Sequence, residues 1–208
     1  MITVIAGVNG AGKSSIVGEK IRLDGGTYVN PDEITRAILV GSELPNEDAA
    51  NAEAWQIGIT MLAAAIDNDD DFYFETTLGG SSVFEELIRA IDQGRLVRVF
   101  FVGLESPELH IQRVQERVSR GGHHIPDEKI HSRWINSRLN MARLIDVCYA
   151  VRVFDNSRPL ANHQPDPITL FAMQDGQFTQ TPRKDMPTWA KPLAVAAIQR
   201  GMKTEGAA

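Results

Sequence analysis

Gly7-Val8-Asn9-Gly10-Ala11-Gly12-Lys13-Ser14 carries the spacing G-x-x-x-x-G-K-S of a phosphate-binding loop. Its flanks agree with that reading. Ile2-Thr3-Val4-Ile5-Ala6 is a short apolar, β-branched run that predicts a buried strand, and Ser15-Ile16-Val17-Gly18-Glu19-Lys20-Ile21 can open a helix. In a strand–loop–helix unit, glycines let backbone N–H groups turn inward around phosphates, and the helix N-terminus adds the positive end of its dipole. Lys13 would then reach the β- and γ-phosphates, and the Ser14 hydroxyl would ligand Mg²⁺. Asn9, Gly10, Ala11, Gly12, Lys13, Ser14 and Ser15 are thus the expected ATP-binding residues.

Working outward, the strand and helix signals alternate. Thr27-Tyr28-Val29 predicts a second strand, and Asn30-Pro31-Asp32-Glu33-Ile34 predicts a capped helix start with its acids in the first turn. Asp32 therefore has two readings. It is a favourable charge at a helix dipole, or a carboxylate at the carboxyl-end crevice of a parallel sheet, able to take a proton from a substrate hydroxyl.

A long helix over 47–66 ends at the acidic run 67–71, whose adjacency to a helix end favours a solvated turn over a metal site. Phe72-Tyr73-Phe74-Glu75-Thr76-Thr77 predicts an aromatic strand ending in a carboxylate, suited to facing Mg²⁺ or to gripping substrate hydroxyls. A helix over 83–92, a strand over 96–102 and a helix opening at Ser106-Pro107-Glu108 follow.

The chain is acidic overall, with a formal charge of −6, which argues against coating nucleic acid through bulk electrostatics. Residues 113–143 run the other way. Arg113, Arg117, Arg120, Lys129, Arg133, Arg138 and Arg143 outnumber Glu116, Asp127 and Glu128 there, and Gly121-Gly122-His123-His124-Ile125-Pro126 breaks the segment in the middle. In a protein with a phosphate loop, such a basic helix–glycine–helix unit reads as a lid over polyphosphate, with the remaining arginines on a solvated face.

The last core strand is expected at 150–154, with Asp155-Asn156-Ser157 placed to read an adenine edge or to serve as a plain polar turn. Residues 168–173 and 177–179 predict a hairpin through Asp175-Gly176. A final helix from Pro187 to Met202 should pack Trp189, Leu193, Val195 and Ile198, with a frayed end from Lys203.

The alternation predicts an α/β fold: a P-loop NTPase three-layer sandwich with a mostly parallel sheet, helices on both faces, a helical lid and a C-terminal hairpin plus helix. A single domain is expected over residues 1–208, with its lid at about 113–143 and a C-terminal appendage at about 158–208. Cys148 is the lone cysteine, so no intrachain disulfide is possible, and its apolar neighbours point to a buried structural role rather than a nucleophile. A strand starting at Ile2, no basic segment before it and no membrane-length apolar run predict a cytoplasmic protein with no membrane role.

The phosphate loop, Asn30-Pro31-Asp32-Glu33-Ile34, Phe74-Glu75-Thr76-Thr77, and Arg120-Gly121-Gly122-His123-His124-Ile125-Pro126 with Arg133 together resemble the zeta-toxin-like P-loop kinases, more closely the branch often labelled predicted ABC-type ATPase or kinase. The resemblance covers about residues 1–157. It implies phosphoryl transfer from ATP to a small hydroxyl substrate, in zeta toxins the 3′-hydroxyl of UDP-N-acetylglucosamine. By position it implies Asp32 as general base, Lys13 as phosphate clamp, Arg120 and Arg133 as a charge-neutralising pair, and Glu75, Thr76 and Arg36 as substrate-holding residues.

Zeta toxins usually carry Asp-x-x-Arg followed shortly by His-Pro; here Arg36 stands four residues after Asp32 and no His-Pro follows, which leaves the acceptor open. A small antitoxin-like partner is a further implication. Two other readings stay open: a nucleic-acid end kinase using the basic lid, which the overall acidity disfavours, and an ATP-binding switch acting through a protein partner.

Overall fold

The computed structural model describes residues 1–18, 28–41, 47–122, 124–159 and 166–206. Among the described residues seven strands form one sheet: β1 (Ile2–Ala6), β2 (Tyr28–Val29), β3 (Phe72–Thr76), β4 (Val97–Gly103), β5 (Ala150–Asp155), β6 (Ile168–Gln174) and β7 (Gln177–Gln180), in the order β2-β3-β1-β4-β5-β6-β7. The first five run parallel, and β6 and β7 add antiparallel at one end.

Every residue of β1 is buried, so the centre of the sheet is covered on both faces, as parallel strands require. Its apolar, β-branched sequence meets that demand. Ala6 at the end of β1 pairs with Thr76 on one side and Phe101 on the other. The strand order reverses there, and β1 opens into the phosphate loop at this switch point, where open α/β sheets place their ligands.

The helices are α1 (Pro31–Gly41), α2 (Glu47–Asp67), α3 (Ser81–Asp92), α4 (Pro107–Val118), α5 (Asp127–Ile145) and α6 (Lys191–Glu205). Local chemistry explains their starts. The Asn30 side chain accepts the Asp32 N–H at 3.0 Å, and the Ser106 hydroxyl accepts that of Leu109 at 3.3 Å ahead of Pro107 at the first turn. The main core packs α2, α3, α5 and α6 against the sheet through Leu62, Leu87, Met141 and Leu193. A second, smaller cluster joins Val8 of the phosphate loop to Val114 of α4 and to Ile125 and Ile130 at the start of α5. The basic helix pair is thereby seated on the loop itself.

Several sequence expectations shift. The segment after the loop is a π-type turn over Ser14–Gly18, and the rest of the helix expected through Ile21, with Thr27 of the expected second strand, lies outside the described residues. β4 starts at Val97, with Leu96 outside it and half exposed, and α3 starts two residues early, at Ser81. The hairpin extends the main sheet through β5, while Trp189 and Leu193 join the core.

The last helix starts as a short turn, Thr188–Ala190, and α6 then runs to Glu205, past the expected fraying at Lys203. Val195 and Ile198 do not pack: they are 52% and 39% exposed, and Ala194 and Ala197 face the core instead. The helix lies close against α5, and small residues suit that approach. Among the described residues no helix is long and apolar enough to cross a membrane.

Candidate active site

The phosphate loop is held from several sides. Its base is tied to β3 by the Gly7 N–H donating to the Thr76 carbonyl at 3.2 Å. From beyond β5, Asn156 Nδ2 donates to the Ala11 carbonyl at 2.9 Å. From α4, His110 Nδ1 lies 2.8 Å from the Asn9 carbonyl. Gly12 has φ +88°, and a Cβ there would sit 2.7 Å from Asn156 Nδ2, so both conformation and space require glycine.

Asn156, in the turn that sequence left open between reading an adenine edge and a plain polar turn, thus anchors the loop through its amide nitrogen. Asp155 is likewise occupied, accepting from the Ser157 hydroxyl at 2.5 Å and from Trp189 Nε1 at 3.3 Å.

Inside the loop, Lys13 is buried and lies 3.5 Å from the Glu75 carboxylate. Glu75 also accepts from the Ser14 hydroxyl at 2.9 Å and from the Tyr28 hydroxyl. Strand β3 therefore delivers its carboxylate to the loop, beside the lysine and serine expected to meet phosphate and metal. The Thr76 hydroxyl accepts the Leu78 N–H at 3.0 Å.

Two cavities meet at this point. One, of about 900 Å³, lies over Gly10, Gly12, Lys13, Ser14 and Ser15 and is walled by Arg36, Arg113, Arg117 and Arg120. The other, of about 480 Å³, is lined by Trp55, Asp48, Thr76, Thr77, Lys129 and Arg133. Lys13, Asp32, Glu75 and Asn9 border both. Asp32 stands on the first turn of α1, its side chain 45% exposed, with one oxygen 3.8 Å from Arg117.

The expected residues therefore sort by cavity. Arg120 faces the loop-side space and Arg133 the neighbouring one, so the two arginines flank the boundary. Arg36, expected on the substrate, borders the loop side only, and its Nε donates to the Asp32 backbone carbonyl at 3.2 Å. Ala11 is buried beneath the loop and lines neither cavity. His124 borders both, and His123 lies outside the described residues.

Electrostatics favour an anion here. Burial pushes the Arg133 and Arg113 guanidinium groups below their ordinary pKa. His110, 1% exposed, is pushed down to about 4, chiefly by burial, so the imidazole is neutral near pH 7 and donates its Nδ1 proton to Asn9. Sequence reading assigned no role to His110, because one histidine on an amphipathic helix carries no signal until the helix meets the loop. Trp55 and Asp48 were equally silent within an alanine-rich helix. Among the described residues there is no cluster of three or more His, Cys, Asp or Glu suited to a metal ion.

Residues 1–163 match the model of the Zeta toxin family. The chain belongs to the zeta toxin family. An uncharacterized protein of Haemophilus influenzae is 28% identical over 129 residues, 62% of this chain and 88% of its own length. A chain of the AvrRxo1-ORF1:-ORF2 complex solved with ATP superposes with a TM-score of 0.63 at 15% identity, over 86% of this chain and 60% of that one. The PezAT toxin–antitoxin system of Streptococcus pneumoniae gives a TM-score of 0.55 at 12% identity, over 98% of this chain and 86% of its counterpart. At such identities these structures show the shared fold. This zeta toxin family member spans only about 60% of the AvrRxo1 chain's length.

Proposed function

We propose that the protein is an ATP-dependent phosphotransferase that moves the γ-phosphate to a hydroxyl of a small substrate, with Asp32 as general base. One observation carries this reading: Asp32 borders both the cavity over the phosphate loop and the cavity beside it, together with Lys13 and Glu75. A nucleotide fills the first, an acceptor the second, and the carboxylate stands where the acceptor hydroxyl must lose its proton. Lys13 holds the phosphates, and Arg120 and Arg133 neutralise charge from opposite sides of the boundary.

The hard oxygens of Ser14 and Glu75, 2.9 Å apart, form a donor set that fits Mg²⁺, which would neutralise phosphate charge when bound. Helices α4 and α5 with the glycine turn between them act as the lid within one domain. Thr76, Thr77, Trp55 and Lys129 hold the acceptor. Two of the similar structures are two-component assemblies, AvrRxo1-ORF1:-ORF2 and PezAT, and a small antitoxin-like partner for this chain follows by analogy.

The test is incubation with Mg²⁺, ATP and a pool of nucleotide sugars and nucleosides, with mass spectrometry for the gain of one phosphoryl group. Asp32→Asn should retain ATP binding and lose transfer by at least about a hundredfold. Undiminished transfer in that variant removes Asp32 from the chemistry. ATP hydrolysis that no pooled acceptor changes favours the switch reading.

A further inference from the structure

The Arg133 guanidinium is largely desolvated. Among the described residues its one hydrogen-bond partner is Asn9 Oδ1, at 2.8 Å, and no carboxylate lies within ion-pair distance. Its stem is clamped as well, since a Cβ at Gly79 would stand 2.8 Å from Arg133 Cγ. The Asp32 carboxylate acts on this charge only from beyond that distance, so the desolvated guanidinium gains from an arriving anion. Four of the five guanidinium N–H groups remain for that anion.

Asn9 is itself fixed. It is 5% exposed, its backbone carbonyl accepts the His110 Nδ1–H, and it borders both cavities. Its amide oxygen can orient a guanidinium without cancelling the charge. A carboxylate of the same shape would hold Arg133 equally well and neutralise it.

We propose that Asn9 is a positioning residue for Arg133: its neutral amide aims the guanidinium at the boundary between the two cavities and leaves the positive charge for the transferring phosphoryl group. This rests on the kinase reading above and adds to the loop a duty separate from cradling phosphates, one that links it to α5.

The test is a double-mutant cycle of Asn9→Ala and Arg133→Ala, read by calorimetry as the preference for ATP over ADP and by the transfer assay as kcat and KM. Asn9→Ala alone should cut the ATP preference and kcat by about tenfold while ADP affinity and acceptor KM stay within about twofold. In the Arg133→Ala background the same change should add less than about twofold. Equal losses in both backgrounds overturn the proposal, because Asn9 would then act on the nucleotide directly.

Asn9→Asp supplies an isosteric control. It should preserve thermal stability yet lose the ATP preference, whereas a purely structural role predicts that both survive. The calorimetric readout needs no acceptor. Coupling there without transfer would sink the kinase reading and keep the tether, and transfer without coupling would do the reverse.

Discussion

His110 makes the stability of the fold depend on pH in a way that can be isolated. It lies 1% exposed in the first turn of α4, with Nδ1 against the Asn9 carbonyl. Burial pushes its pKa down to about 4, nearby Lys13 and Arg113 push the same way, and the Asn9 carbonyl opposes them. The unfolded chain takes up this proton near pH 6.5, so between about pH 6.5 and pH 4 it binds more protons than the folded one. The contribution is thus complete above the unfolded value and is lost as pH falls through the folded one.

At about 1.4 kcal/mol for each pH unit, the difference is worth about 3 kcal/mol in full, of which roughly 2.5 kcal/mol disappears between about pH 7.5 and about pH 4.5. Carboxylates titrate in the same region, so the comparison must be differential. His110→Asn keeps an N–H donor near the position of Nδ1 and removes the titration. Urea unfolding of both proteins at a series of pH values should show the wild type losing roughly 2.5 kcal/mol more than the variant over that range. Parallel curves would refute the argument, because they would mean that the buried imidazole protonates as freely in the fold as outside it.

Glu75→Gln should lower the Tm of the nucleotide-free protein, since it strips the buried Lys13 of its carboxylate partner, and should enlarge the Tm rise on adding ATP without Mg²⁺, because phosphate then supplies the counter-charge. A thermal shift with ATP no larger than that of the wild type would contradict this. Gly103→Ala should destabilise by about 1–3 kcal/mol in denaturant unfolding, as a Cβ there falls inside van der Waals contact with the Trp189 indole. Cys148, whose thiol burial pushes up to about 12, should resist thiol reagents at about pH 8 until the protein is unfolded, and rapid labelling of the native protein would show that this region opens.

Parts of the site were open to reading because their chemistry is written locally. The phosphate loop needs glycines at set intervals, and the Asn30-Pro31-Asp32 start is a cap whose partners lie two residues apart. Glu75 at the end of an aromatic strand was visible as a carboxylate, yet its contacts with Lys13 and Ser14 were not. Whether it faced metal or substrate depended on β3 pairing with β1, which brings it to Ser14 and Lys13. Arg36 and Arg120 show the opposite limit. Four residues after Asp32 is one helical turn, so Arg36 shares its face of α1, but which cavity that face borders is settled by the packing of other helices.

Period and local capping therefore determined the strands, most helices and the phosphate loop, since each depends on residues within a turn or two of one another, whereas Asp32 as base rests on the family resemblance. The C-terminal helix was legible as a helix but not in its buried face: Ala194 and Ala197 face inward where Val195 and Ile198 were expected, because close approach to α5 favours small apolar side chains over large ones. Tertiary structure alone decided the contacts across long sequence separations, in which His110, Asn156 and Arg133 converge on the loop. His110 carries no local signature, and the polar turn and basic helix that hold Asn156 and Arg133 do not name their partners, since a buried polar side chain is explained only by the partner the fold brings to it.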